Sequence, residues 1–173
     1  LMPLKMVDTA FHVPKGKLSR FASSYAPGGA LVEGVKGSPF QDPTRLQSGG
    51  GGLVSTADDY MRFCQMLLNG GRLGDARVLW PESVQAMLRN QLPKGVRAFE
   101  HFGFGLGVMV QLKDWGVKGR PDEAGWDGIA STHFWISPAD GLIFIALSQR
   151  QPFSTELKDT LTPLVYKALL ASD

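Results

Sequence analysis

The chain has 173 residues, 43% of them hydrophobic and 20% charged, with a formal net charge of +2. These values fit a globular domain and exclude a disordered chain; at ~150 residues a domain buries roughly 68–70% of its unfolded surface, so a real core is within reach. The 18 basic residues are scattered, with no block of like charge, which argues against a nucleic-acid partner.

Residues 1–48 are rich in Pro, Gly and Ser. Short extended pieces are predicted at 11–14 and 21–25. Between 26 and 47 the turn formers recur, as Pro27-Gly28-Gly29, Gly37-Ser38-Pro39 and Asp42-Pro43, and predict a long irregular excursion of the kind that is often functional. Ser48-Gly49-Gly50-Gly51-Gly52 follows. A helix then starts after Ser55 or Thr56, with Asp58 and Asp59 in its first turn. Its apolar positions Tyr60, Phe63, Cys64, Leu67 and Leu68 keep i, i+3, i+4 spacing, and Asn69-Gly70-Gly71 ends it. A second helix is predicted over 81–90, opened by Pro81.

Beyond Pro93 the pattern turns to strand. Residues 102–110 alternate glycine with bulky side chains and read as one strand. Strands over 131–137 and 142–148 are joined by a hairpin turn at Asp140-Gly141. Residues 142–147 are apolar on both faces, which predicts a central strand. That run is the longest apolar stretch and falls well short of the ~20 residues of a membrane span. A last helix over 154–170 carries the stripe Leu157, Leu161, Leu164, Val165 and Leu169, with a kink expected at Pro163. The fold class is α+β, an antiparallel sheet flanked by helices.

Three constellations invite chemistry. The glycine run lacks the Gly-Lys-Ser/Thr of a phosphate loop; it reads as a connector or as a tight loop against which a substrate packs. His12, His101 and His133 form no metal-ligand spacing, and the single Cys64 excludes both an intrachain disulfide and a multi-cysteine zinc site. Gly125-Trp126-Asp127-Gly128 follows a polar loop and precedes a strand. It reads either as a turn with a buried tryptophan or as a pocket wall where a ligand approaches backbone N–H groups.

The order of landmarks resembles the C-terminal half of a serine β-lactamase-fold hydrolase, close to the carboxylesterases related to class C β-lactamases and penicillin-binding proteins. The landmarks are Ser48-Gly-Gly-Gly-Gly-Leu53-Val54-Ser55-Thr56-Ala57-Asp58-Asp59-Tyr60, then Leu67-Leu68-Asn69-Gly70-Gly71. Phe104-Gly105-Leu106-Gly107 follows, and then Gly125-Trp126-x-Gly128 leading into Thr132-x-Phe134-Trp135-Ile136-Ser137-Pro138. The opening residues 3–14 resemble the segment after that family's second motif.

The resemblance implies acyl transfer. A serine in S-x-x-K attacks an ester or lactam carbonyl, a lysine and a Y-x-N or Y-x-S tyrosine move protons, and a W-x-G strand lines the site. Trp126, Asp127, Gly128 and Ile129 are then the substrate and oxyanion residues, the oxyanion N–H being that of Ile129. Ser48, Gly49, Gly50 and Gly51 form a loop at the same pocket. No metal or cofactor is implied.

The chain departs from the family in two ways. No serine has a lysine three residues on, and Tyr25, Tyr60 and Tyr166 have no Asn or Ser two residues on. Asp127 stands where glycine is usual, and its side chain is expected to point to solvent. Trp80 stands where the family often has a capping serine.

The nucleophile, lysine and tyrosine are therefore expected upstream. The start Leu1-Met2-Pro3-Leu4 has no signal-peptide pattern and is not that of a natural beginning, so the chain is expected to be a piece of a longer protein, in a cytoplasmic or periplasmic setting. The expected parts are a loop-rich 1–55, a helical 56–95, and 96–173 with strands and a helix that complete a sheet begun by a missing N-terminal portion. That portion, or a second chain, and a small ester or lactam are the expected partners. A non-catalytic binding or assembly module on the same fold is the alternative.

Overall fold

The computed structural model describes residues 1–114, 116 and 119–171. The loop-rich start forms little regular structure: β1 (Ser24–Tyr25) pairs with β2 (Leu31–Glu33). The excursion beyond is pinned at one 3-10 turn, Pro39–Gln41, where the Phe40 carbonyl accepts from the Val13 N–H at 2.7 Å. The expected extended piece at 11–14 is thereby held by pairing with this turn, and Ala10 bridges to Val54.

Helix α1 (Ala57–Leu68) forms where its spacing predicts, and its cap is Thr56, whose hydroxyl accepts from the Asp59 N–H at 3.3 Å. Its buried side chains Cys64, Met66 and Leu67 are each contributions of about 1.5–3 kcal/mol at the scale of a fully buried apolar side chain. Asp59 anchors the N-terminal segment to the same helix end: its Oδ2 accepts from the Thr9 hydroxyl at 2.8 Å and the Asp8 N–H at 2.7 Å. A small hairpin, β3 (Arg72–Leu73) with β4 (Ala76–Arg77), leads to α2 (Pro81–Leu88). Trp80 provides no side-chain cap there; its ring lies under the Arg77 guanidinium at 5.1 Å.

Five strands make the main sheet, in the order of the chain and antiparallel throughout: β5 (Phe102–Phe104), β6 (Met109–Gln111), β7 (Ala124–Gly128), β8 (Thr132–Ser137) and β9 (Leu142–Ala146). The single strand expected at 102–110 is in fact the β5–β6 hairpin. Gly107, at φ +88, takes the left-handed backbone that turns the chain, and the Gly105 N–H closes on the Val108 carbonyl at 2.8 Å. Helix α3 (Glu156–Leu170) follows.

Alternation divides the sheet into two faces. Ala124, Phe134, Ile136, Ile143 and Ile145 pack with α1 in the larger core. Trp135, Phe144 and Ala146 face α3 and pack around Tyr166. Two corrections follow. β9 is the last strand of the sheet, not a central one; it is apolar on both faces because α1 and α3 cover opposite sides of it. The buried positions of α3 are Thr162 and Tyr166, flanked by Leu161, Val165 and Leu169, while Leu157 and Leu164 of the expected stripe are exposed. Stacking sets this rotation: Trp135 lies parallel between Phe144 and Tyr166 and donates its indole N–H to the Thr162 hydroxyl at 3.1 Å.

Candidate active-site wall

Gly125-Trp126-Asp127-Gly128 is not a turn before a strand; it is the body of β7. Two glycines disguise it, and both have packing reasons. A Cβ on Gly125 would sit 2.2 Å from the Phe134 carbonyl oxygen, and one on Gly128 would sit 2.3 Å from the Thr132 hydroxyl. Strand β6 pairs with β7 only at Ala124 and Gly125, whereas β8 pairs along its whole length. Residues 126–128 therefore run along an edge that is open on the β6 side. Trp126 is 41% exposed and rests edge-on against Phe104, ring centres 5.3 Å apart.

At the end of this edge the chain reverses through residues 128–131. The Ser131 N–H closes the turn on the Gly128 carbonyl at 2.9 Å. Ser131 holds φ +60, a backbone that favours glycine, and its buried hydroxyl compensates by donating to the Arg150 carbonyl at 2.9 Å and accepting from the Ser154 N–H at 3.0 Å. The Ser148 hydroxyl and Arg150 N–H hold the Ala130 carbonyl from the segment after β9. Within this fixed turn Ile129 is 76% exposed, and its N–H donates to nothing among the described residues.

Asp127 corrects the expectation of a solvent-directed carboxyl. Neighbours on a strand point to opposite faces, so Asp127 lies on the side away from Trp126. It is mostly buried against α3, with Oδ1 2.8 Å from His133 Nδ1 and Oδ2 accepting from Lys158 Nζ at 2.6 Å. Burial pushes this carboxyl up, but the hydrogen bonds from His133 and Lys158 outweigh it and hold it below the usual range. The negative charge beside the W-x-G edge is thereby compensated on the far side of the strand. His133 and Lys158 were not candidates in the sequence. His133 was findable, because a hairpin through 129–131 places it directly opposite Asp127; Lys158, 31 residues away, carried no local signal.

On this α3 side lies a cavity of about 460 Å³, bordered by Phe102, Met109, Glu123, Trp135, Lys158 and Thr162. Glu123 is buried, and its Oε1 has no hydrogen-bond partner among the described residues. Burial pushes its carboxyl up to about 7, with the Asp140 charge adding to the effect against the backbone bond and charge of Arg120. Among the described residues no group of three or more His, Cys, Asp or Glu is placed to hold a metal ion.

The structure brings Trp126, Asp127, Gly128 and Ile129 together on one edge and its turn. It does not join Ser48, Gly49, Gly50 and Gly51 to them: these four are exposed, and no hydrogen bond or ring contact among the described residues links them to β7. Gly52 turns the loop back against Arg45 and Phe11.

The comparisons agree with this architecture. The Beta-lactamase family model matches residues 1–166. Protein Rv1367c of Mycobacterium tuberculosis is 34% identical over 169 residues, which covers 88% of this chain and 42% of that protein. The chain thus spans about two fifths of the length of the curated relatives it matches. Among solved structures, a simvastatin synthase mutant from Aspergillus terreus superposes with a TM-score of 0.79 at 22% identity, over 96% of this chain and 47% of that one. EstCE1, described as a hydrolase with promiscuous acyltransferase activity, gives 0.76 at 19% identity, over 95% and 48%. The octameric penicillin-binding protein homologue of Pyrococcus abyssi gives 0.66 at 18% identity, over 100% and 36%. The chain belongs to the beta-lactamase family, and its fold is that of the β-lactamase and transpeptidase-like proteins.

Proposed function

We propose that this chain is the C-terminal portion of a serine hydrolase or acyltransferase and supplies one wall of its acyl site. The observation that carries the reading is the unpartnered Ile129 N–H, held in a rigid turn at the end of the open β7 edge. A tetrahedral intermediate needs such a preorganised donor for its developing oxyanion. Trp126 walls the acyl pocket, Gly128 keeps the approach narrow, and Asp127 serves the far side of the strand. Ser48, Gly49, Gly50 and Gly51 form the rim of the same cleft in this reading. The substrate is a small ester or a lactam.

A hydroxyl is a weak nucleophile and requires an adjacent base. The chain has neither S-x-x-K nor Y-x-N, so these come from an N-terminal portion of the same protein or from a second chain. The partial coverage of the matched relatives supports that division.

Ile129→Pro tests the oxyanion role in the complete polypeptide that carries these residues. Position 129 is the second residue of the turn, where proline is well tolerated, so the variant deletes the donor and keeps the turn. The expected result is a fall in kcat of about 10²–10³, the scale of losing one oxyanion donor, with folding retained. An unchanged kcat overturns the assignment. An inactive complete polypeptide that binds an ester without cleaving it would favour a non-catalytic binding module.

A further inference from the structure

His133 is surrounded in a way that fixes its protons. Its side chain is 0% exposed. Nε2 lies 3.1 Å from the Ser154 carbonyl oxygen, which can only accept, so Nε2 carries a hydrogen. Nδ1 lies 2.8 Å from Asp127 Oδ1. Asp127 is ionised, its other oxygen held by the Lys158 ammonium, so this partner is also an acceptor and Nδ1 donates as well. A ring that donates at both nitrogens is an imidazolium. The remaining groups at the ring complete its surroundings: the Phe153 ring, centre 5.9 Å away, and the Ser131 hydroxyl bonded to the Ser154 N–H. Beyond them on α3, Glu156 is taken up by Arg150, and Asp159 accepts from the Thr155 hydroxyl.

These bonds link three parts of the molecule. Asp127 belongs to β7, two residues before Ile129. His133 is in β8. Ser154 lies just ahead of α3, and its N–H is bound to Ser131 in the turn that presents Ile129. We propose that His133, as a buried imidazolium, is a positioning residue that straps the β7 edge to the segment entering α3 and so fixes where the Ile129 N–H points. The ring touches no reacting atom and transfers no proton; it is sealed beneath the edge that faces the substrate. The catalytic consequence rests on the function proposed above, whereas the strap itself does not.

The strap adds to the Ser131 hydroxyl, which accepts from the Ser154 N–H, so the turn is tied to the segment entering α3 at two points.

Nitrogen NMR of the complete polypeptide with labelled histidine tests the two ring bonds, read together with amide exchange at residues 129–131 and the separate effects on kcat and KM. His133 should show a hydrogen on both ring nitrogens. His133→Phe should speed exchange at 129–131 and lower kcat by about tenfold at constant KM, as expected for a misplaced donor, while Lys158→Met, which leaves both ring bonds in place, should change neither.

A ring with one N–H, or unchanged exchange at 129–131 in His133→Phe, overturns the proposal. The ring signature of the parent protein decides the matter even where His133→Phe does not fold. If no acyl transfer is found while the nitrogen signature and exchange behave as described, the proposed function fails and the strap stands. Activity with a neutral ring gives the reverse.

Discussion

Glu123, just before β7, and Asp127, near its end, sit four residues apart and meet opposite fates. Asp127 is compensated by a histidine and a lysine, and its carboxyl is held down. Glu123 is buried with no cation in contact among the described residues, and its carboxyl is pushed up to about 7. The difference teaches that burial alone does not decide ionisation; what decides it is whether a donor is built into the opposite wall. The compensated end lies beneath the proposed acyl site. Both carboxyls border the cavity between α3 and the sheet, and at the uncompensated end a Glu123 oxygen is buried without a partner among the described residues.

Breaking the compensated end has the largest expected effect. Asp127→Ala leaves the His133 and Lys158 charges without their counter-ion, at a cost of about 3–5 kcal/mol when one member of a buried pair is removed, read as a drop in urea midpoint. A loss under ~1 kcal/mol would mean that water already screens the cluster. Asp127→Asn keeps the shape and sharpens the point. Because the folded carboxyl titrates below its ordinary value, its contribution is present above the unfolded carboxylate range and disappears as pH falls through the lowered value. The parent should therefore show an acid-side loss of stability that the asparagine variant lacks.

Gly125, between the two carboxyls, comes next. Gly125→Ala places a methyl against the Phe134 carbonyl, a backbone atom that cannot rotate away. A loss of about 1–3 kcal/mol is expected, as for other overpacked sites, with a matching fall in melting temperature.

The uncompensated end should behave in the opposite sense. The unfolded Glu123 loses its proton near the ordinary value of 4.5, while the folded one keeps it to about 7. Between these values the folded state binds more protons, so stability falls as pH rises and the full penalty is reached above about 7. Glu123→Gln abolishes that slope. It should match the parent at pH ~4 and exceed it by about 1–2 kcal/mol at pH ~8 in urea titrations. Equal stability at both pH values would show that the carboxyl finds a donor.

Local sequence patterns predict the parts that obey local rules. Thr56 caps α1, Pro81 opens α2, and Asp140-Gly141 turns β8 into β9, as the spacing predicts. The resemblance to the β-lactamase fold was equally legible, since its landmarks lie in order along the chain. The misses have tertiary causes. β7 reads as a turn because its glycines answer to β8 across from them, Gly125 to the Phe134 carbonyl and Gly128 to the Thr132 hydroxyl. The β5–β6 hairpin looked like one strand because glycines both fill and break its alternation. The α3 face was misjudged because an indole seeking a hydrogen-bond partner selected Thr162 over the leucines. Asp127 was read without Lys158 because 31 residues separate them.

β9 ends the sheet with no second neighbour among the described strands, while Leu147 and Leu164 lie exposed nearby in sequence and on α3. An open edge and exposed apolar side chains are what a complementary portion would cover, and under the proposed function that portion carries the nucleophile. The most direct test is to find where an acyl group lands. The purified chain is incubated with p-nitrophenyl acetate alone and then together with its upstream portion, and each polypeptide is weighed by mass spectrometry. The account predicts no turnover above the buffer rate by the chain alone, turnover on mixing, and an acetyl adduct on the serine of an upstream S-x-x-K. Turnover by the chain alone, or an acetyl group on one of its own serines, would contradict it.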